Sequence, residues 1–294
     1  MIIRLIVEQL GNSIVMGLIY GLVALGFNLI FGILGLIHFA HFEVYMIGAF
    51  GGLMAASYLK ANIVIVLMAG MLSAGLLGIL IEKTTFLPIR EQPPESQLFA
   101  SIAVSIILQN SALLLWGTEW LPFPKLIIQK NYSLGWIQVS NVQLIILALV
   151  ILFLLGLRLG LYHTKIGVAI RAVSYNRSAA TLMGINTDTT ISITFGFASM
   201  LAGAAGVIIG LYYNMVWALM GSTTGLKAFI AVVIGGIGSL TGSVLGGLLL
   251  GMAEGLASGF ISSTWSDGIA FGIFILVLLI RPSGLFGVQQ HEKF

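Results

Sequence analysis

Residues 9–42 read QLGNSIVMGLIYGLVALGFNLIFGILGLIHFAHF, a run without one Asp, Glu, Lys or Arg. A helix crosses the hydrocarbon core of a bilayer, roughly 30 Å, with about 20 residues. The run is apolar enough for lipid but too long for a single crossing, so it bends or breaks before Glu43. Its last part with the residue that follows, GILGLIHFAHFE (32–43), gathers two glycines, two histidines and the acid that ends the uncharged run. The expectation is an all-α membrane protein whose first helix is interrupted there.

The rest of the chain agrees. Of 294 residues, 59% are hydrophobic and 8% charged, and the mean hydropathy is +1.08. A soluble domain of this length needs polar cover that so few charged side chains do not supply, so lipid is the solvent for most positions. A net charge of +3 would suggest nucleic acid in a soluble chain. Here the basic residues fall between apolar runs, and membrane topology accounts for them better. No cysteine is present, which removes disulfides, thiolate metal sites and cysteine nucleophiles. The opening MIIRLIVEQLGNS lacks the pattern of a cleaved leader, so the first span is expected to be retained.

Counting apolar runs places spans at 11–34, 41–59, 62–81, 97–117, 139–157, 189–213, 226–258 and 266–280. The architecture is a polytopic transmembrane helical bundle, one membrane domain over 1–294, of about eight spans with two broken helices. The second broken one is 226–258, again too long for one crossing. All six prolines (Pro88, Pro93, Pro94, Pro122, Pro124 and Pro282) lie in the gaps, as expected where lipid cannot replace a missing backbone donor. Lys/Arg bias puts 82–96, 158–188 and the tail with Arg281 and Lys293 in the cytoplasm. The 118–138 segment is then outside, with Trp116, Trp120 and Trp136 as an interfacial belt. The side of the N-terminus, with Arg4 and Glu8, stays open.

The two interrupted stretches look alike. Gly32, Gly35, Gly48 and Gly52 recur at a fixed offset as Gly235, Gly238, Gly251 and Gly255. Paired broken helices point to a transport site near the midplane, while close helix packing by small residues is the plainer reading of each glycine.

His38, His41 and Glu43 are the ionisable groups of the first break. Such groups inside hydrocarbon tend to face a cavity or a partner. A metal site lacks a third imidazole or a second acid, and a proton relay has only these three residues to run through. They are therefore candidates to cap the broken helix, anchor it or line the path. The second break offers Ser239, Thr241 and Ser243, hydroxyls able to satisfy backbone freed at a break or to touch a polar solute. Glu254 and Asp267 are acids near the last spans, able to meet a substrate ammonium or to sit at the outer boundary.

Between two apolar runs, RLGLYHTKIGVAIRAVSYNRSAATLMGINTD (158–188) carries Arg158, Lys165, Arg171, Arg177 and Asp188. A polar, Ala/Gly-containing cytoplasmic segment in so apolar a chain suits a soluble partner that grips it. Neither a P-loop nor a G-x-S-x-G elbow nor an H-E-x-x-H pair is present, so an enzyme is not expected. Any ATP that drives the protein is bound by another subunit, with no cofactor in this chain.

Four blocks carry a family resemblance: GLIYGLVALGFNLIFGILGLIHFAHFEVYMIGAF, RAVSYNRSAATLMGINTDTTISITFGFASMLAGAAGVIIGLYY, GLKAFIAVVIGGIGSLTGSVLGGLLLGMAEGL and IAFGIFILVLLIRPSGLFG. Together they resemble the permeases of branched-chain amino acid ABC importers (the LivH type) over most of the chain. The resemblance implies a multi-pass protein of the bacterial inner membrane. It also implies a second permease subunit, two cytoplasmic ATP-binding subunits and an extracytoplasmic solute-binding protein. It makes 158–188 the ATPase-coupling loop, similar to the EAA motif. Ala179, Ala180 and Gly184 keep its A-A-x-x-x-G spacing, Ser178 stands where its Glu would be, and Arg171, Arg177 and Asp188 are expected to fix its register. Where the family usually has Asn-Phe-Ala-His-Gly-Glu, this chain has His38 for Asn and Phe42 for Gly.

The reading is thus an ATP-driven, alternating-access permease for branched-chain or similar amino acids, with His38, His41, Glu43, Ser239, Thr241, Ser243 and Glu254 as candidates for the translocation path. Related permeases for urea and short amides share much of the pattern. A proton-coupled secondary transporter built on His38, His41 and Glu43 is the rival mechanism. A membrane-embedded enzyme or receptor is the rival class.

Overall fold

The opening run breaks where its second glycine allows it. In the computed structural model, which describes residues 2–35, 37–128, 130–134 and 137–287, α1 spans Ile2–Leu34 and α2 spans His41–Tyr58. Gly35 between them takes φ +71°, the left-handed conformation in which a side chain is strained and glycine is not. Gly238, its counterpart at the repeat offset, takes φ +87°. It lies in the gap between α9 (Met220–Gly235) and α10 (Leu240–Phe260), so the long run 226–258 is indeed two helices.

The remaining elements follow in chain order. α3 (Ile63–Ile81) passes into a π-helical turn, Glu82–Phe86, and α4 (Pro94–Trp116) starts on proline, whose missing N–H is no loss at a helix N-terminus. Outside lie β1 (Leu121–Pro122) and the hairpin of β2 (Asn131–Leu134) with β3 (Ile137–Ser140). α5 covers Asn141–His163, α6 Lys165–Tyr175, α7 Arg177–Leu182 and α8 Thr187–Tyr213. β4 (Met215–Val216) pairs antiparallel with β1, and α11 (Ser263–Ile280) completes the bundle. Among the described residues, seven helices are long and apolar enough to cross a membrane. To these are added α2, which is mostly buried inside the bundle, and the short α9.

Two predicted boundaries shift. The span expected at 139–157 runs on to His163, so Arg158 lies on the helix rather than in a loop. A long side chain near a helix end can keep its charge at the interface while its stem stays in lipid. The segment 158–188 is correspondingly not an open loop: it is the end of α5, then α6 and α7, then the start of α8.

Small residues set the helix crossings. In lipid the hydrophobic effect does not drive helices together, and close van der Waals contact does. A Cβ at Gly48 of α2 would strike the Gly203 Cα of α8, and one at Gly251 of α10 would strike Gly17 of α1. Gly52 and Gly255 face Val207 and Ser13 in the same way. These four repeat glycines thus do the same job in both halves, seating α2 on α8 and α10 on α1.

The same contacts orient the chain. Ser13 meets Gly255, Gly17 meets Gly247, and Asn28 meets Ser239, so α1 and α10 are antiparallel. α10 ends where α11 starts, and α11 ends at Arg281, on the basic, cytoplasmic side. The N-terminal end of α1 is therefore outside, the point that charge counting left open. Trp116 stacks on Phe50 at 4.1 Å and Trp120 on Trp217 at 4.2 Å, both on the outer side. Trp136 and Lys293 lie outside the described residues.

Candidate functional site

The residues of the first break are buried but do not converge. His38 is 1% exposed and packs edge-on against Phe86 (centroids 4.8 Å) and beside Phe195 (5.5 Å). Neither of its ring nitrogens finds a hydrogen-bond partner. Its ring is 6.2 Å from that of His41, which lies against Gly26. Phe42 stacks on Phe27 (5.6 Å) and fills the space that Gly225 leaves on α9.

Glu43 turns the other way, toward α4 and α9. Its Oε1 accepts from Gln109 Nε2 (2.8 Å) and Ser105 Oγ (3.4 Å), one turn apart on α4. Its Oε2 is buried with no partner. Gly221, in the first turn of α9, faces that oxygen so closely that any side chain there would collide with it. The three helices line an open cleft of about 290 Å³ with exposed Ser222 among its lining residues. Ser222 and Thr223 are exposed on α9 and Asn110 on α4. Polar groups of this kind suit a water-lined path or a protein partner better than lipid.

The hydroxyls of the second break are committed to the break itself. Asn28, 1% exposed on α1, accepts from Gly238 N (2.7 Å) and donates to Ser239 O (2.9 Å) and Ser243 Oγ (2.8 Å). Ser239 Oγ caps α10 by accepting from Gly242 N (3.1 Å), and Ser243 is fully buried. Thr241 remains exposed. The C-terminal tail completes the structure: Leu285 N and Phe286 N donate to the last carbonyls of α9, Ile234 O (2.8 Å) and Gly235 O (3.0 Å).

Glu254 and Asp267 both go to Lys227. Its Nζ contacts Glu254 Oε1 and lies 2.9 Å from Asp267 Oδ1. Both acids are thus paired with one lysine, while Glu254 Oε2 is buried with no partner of its own. Lys227 is the one cation between Arg177 and Arg281, and a lone lysine in an apolar run implies a nearby acid. That signal was present in the sequence.

On the cytoplasmic side, Asn176 caps α7 through Ala179 N (2.9 Å), and Gly184 ends it at φ +84° with Ile185 N on Ala180 O (3.1 Å). Ala180 is buried, while Ala179 and Gly184 are exposed. Leu182 and Met183 are 88% and 84% exposed, two large apolar side chains at the tip of a cytoplasmic hairpin. Arg171 lies over the Tyr162 ring at 4.9 Å. Asp188 contacts Arg90 and, at 3.5 Å, Arg177. Arg90 also holds the fully buried Glu82 at 2.6 Å, and Glu82 accepts from Ser192 Oγ (2.6 Å). Ser174 Oγ of α6 donates to Gly32 O, three residues before the first break. The sequence presented Arg90 only as a marker of topology; the structure makes it the link between the 82–96 turn and the start of α8.

Against known proteins, the sequence profile described as "Branched-chain amino acid transport system / permease component" matches residues 9–278. The chain belongs to that family. Among its relatives, the permease is 34% identical to the high-affinity branched-chain amino acid transport system permease LivH of Salmonella typhimurium, over 97% of each chain. It is equally similar, with the same coverage, to BraD of Pseudomonas aeruginosa, which carries the same description. Its fold matches a chain of PsaBC from Streptococcus pneumoniae, solved in complex with a Fab, at a TM-score of 0.53 and 14% identity over 96% of this chain and 97% of that one. The permease is thus a multi-pass membrane protein of a transport family.

Proposed function

We propose that this permease is the membrane subunit of an ATP-driven importer carrying branched-chain or chemically similar amino acids across the bacterial inner membrane. It works with a second permease subunit, two cytoplasmic ATP-binding subunits and an extracytoplasmic solute-binding protein. No ATP site is needed in this chain, because the ATP-binding subunits supply it. The observation that carries the reading is the α6–α7 hairpin. Exposed Leu182 and Met183, beside Arg171 and Arg177, offer an apolar knob with a basic rim to a soluble partner. Full-length similarity to LivH and BraD supports the substrate class.

The contacts of that hairpin suggest how motion passes inward. Closure of the ATP-binding pair displaces α7. Ser174 carries the shift to α1 just before its break, and Asp188 carries it through Arg90 to the turn between α3 and α4. Coupling of this kind requires a two-state element that both ends bias, and the two breaks, joined through Asn28 on α1, supply it.

The test is purification from native membranes in mild detergent with identification of co-purifying proteins. A P-loop ATPase recovered with the permease, and lost in Gly184→Trp, is the expected result. Recovery of the permease alone, transporting in proteoliposomes without ATP, would overturn it.

A further inference from the structure

Several acids of the membrane helices are paired with cations in the bundle. Glu82 is held by Arg90, and Glu254 and Asp267 by Lys227. Glu43 has none among the described residues, although it is 1% exposed and its Oε2 lacks any partner. A buried carboxylate without a countercharge is strongly disfavoured. No charged group among the described residues relieves it: Oε2 packs against α9 at Gly221, and Gln109 and Ser105, which line the neighbouring cleft, both serve Oε1.

The cleft beside that oxygen has the complementary chemistry of a small amphoteric solute. Phe39, Phe42, Ile102, Ile106 and Leu226 give it apolar walls. α9 begins at this point with no side chain capping its first turn. First-turn N–H groups lack partners within the helix, and the helix dipole favours an anion there. Discontinuous membrane helices elsewhere aim such ends at the anionic groups of substrates. At about 290 Å³ the cleft is at the low end of small-molecule sites, enough for a single amino acid.

We infer that this cleft is a binding station for an aliphatic α-amino acid. The ammonium sits on the Glu43 carboxylate on the side that Ser105 and Gln109 share with the cleft, the solute's own carboxylate on the opening turn of α9, and the side chain among the phenylalanines and isoleucines. The inference rests on the importer reading for its choice of solute, and on Glu43, Gly221 and the cleft for its place. Phe42, reaching across to Gly225, narrows the station and limits the side chain it accepts.

The absence of cysteine from the chain makes a clean test. Ser222→Cys at the mouth of the cleft is labelled with a water-soluble maleimide in the assembled complex without its solute-binding protein. The label is added with leucine, with isocaproate (which lacks the amino group), or with neither. At a leucine concentration of twice its Kd, occupancy slows labelling about threefold. Isocaproate leaves the rate unchanged, and so does leucine once Glu43→Gln is added. Equal rates with and without leucine, titrated to solubility, or protection that survives Glu43→Gln, would overturn the site. The basal rate in Glu43→Gln, compared with the parent, checks that the cleft is still formed, and the isocaproate arm needs no substitution at Glu43. ATP-driven leucine uptake by the same complex in proteoliposomes, with the binding protein restored, separates the two claims. Uptake without protection removes the site and keeps the importer; protection without uptake does the reverse.

Discussion

Replacing Asn28 by leucine tests whether one side chain holds the second break together. The change keeps the branching and heavy-atom count of the side chain but removes three hydrogen bonds, to Gly238 N, Ser239 O and Ser243 Oγ. Side-chain hydrogen bonds in membrane proteins average about 0.6 kcal/mol, so the three together contribute about 2 kcal/mol. Ser239 O keeps a partner in Ser243 Oγ, whereas Gly238 N is left without one. A buried orphaned donor costs about 1–3 kcal/mol, less where water reaches it, as it does beside exposed Gly238. The expected loss is about 2–4 kcal/mol. For a chain of this size about 2 °C accompanies each kcal/mol, so Tm falls by about 4–8 °C. Intrinsic tryptophan fluorescence of the detergent-purified complex reads the transition. Ser243→Ala, which leaves Asn28 on Gly238 and Ser239, falls by less, about 1–2 °C. A Tm for Asn28→Leu within about a degree of the parent would show that the break is held by something else.

Three further outcomes are expected. Arg90→Met leaves Glu82 buried without its cation and destabilises the fold by about 3–5 kcal/mol, whereas Arg90→Met with Glu82→Gln recovers most of it; chemical unfolding of the two variants measures the difference, and equal losses would refute the pairing. Leu182→Asp on the exposed tip of α7 leaves the thermal transition unchanged but abolishes ATPase co-purification, and retained ATPase would remove the docking role. Gly203→Leu forces α8 away from α3 at Gly70 and Ala74; the yield of folded, monodisperse protein on size-exclusion chromatography collapses, and a normal profile would refute the close-packing account.

Most of the architecture was legible because lipid reduces the problem to counting. The over-long runs 9–42 and 226–258 announced both breaks, and the fixed offset of Gly35 and Gly238 marked where the backbone turns left-handed. The four packing glycines were visible as a pattern, but their partners were not, since Gly203 and Gly17 lie on helices far away in sequence. The polar sites were harder. Glu43, His38 and His41 stand within six residues and look like one cluster. Yet His38 sits in the break before α2, and a helix turns by 100° per residue between His41 and Glu43, so Glu43 faces α4 and α9 while the histidines face α1, α8 and the π-helical turn. Asn28 and Gln109 went unremarked, and Arg90 was read only for topology, because each acquires its role from a partner on another helix.

The tail beyond α11 has a consequence for how the protein is made. The last carbonyls of α9 are satisfied by N–H groups at positions 285 and 286, beyond the last span. During synthesis α9 and α10 are made well before those donors, so the junction between them stays unfinished until α11 has followed. The second break therefore matures only after the last span, and a chain cut before residue 285 carries every span and a junction that cannot close.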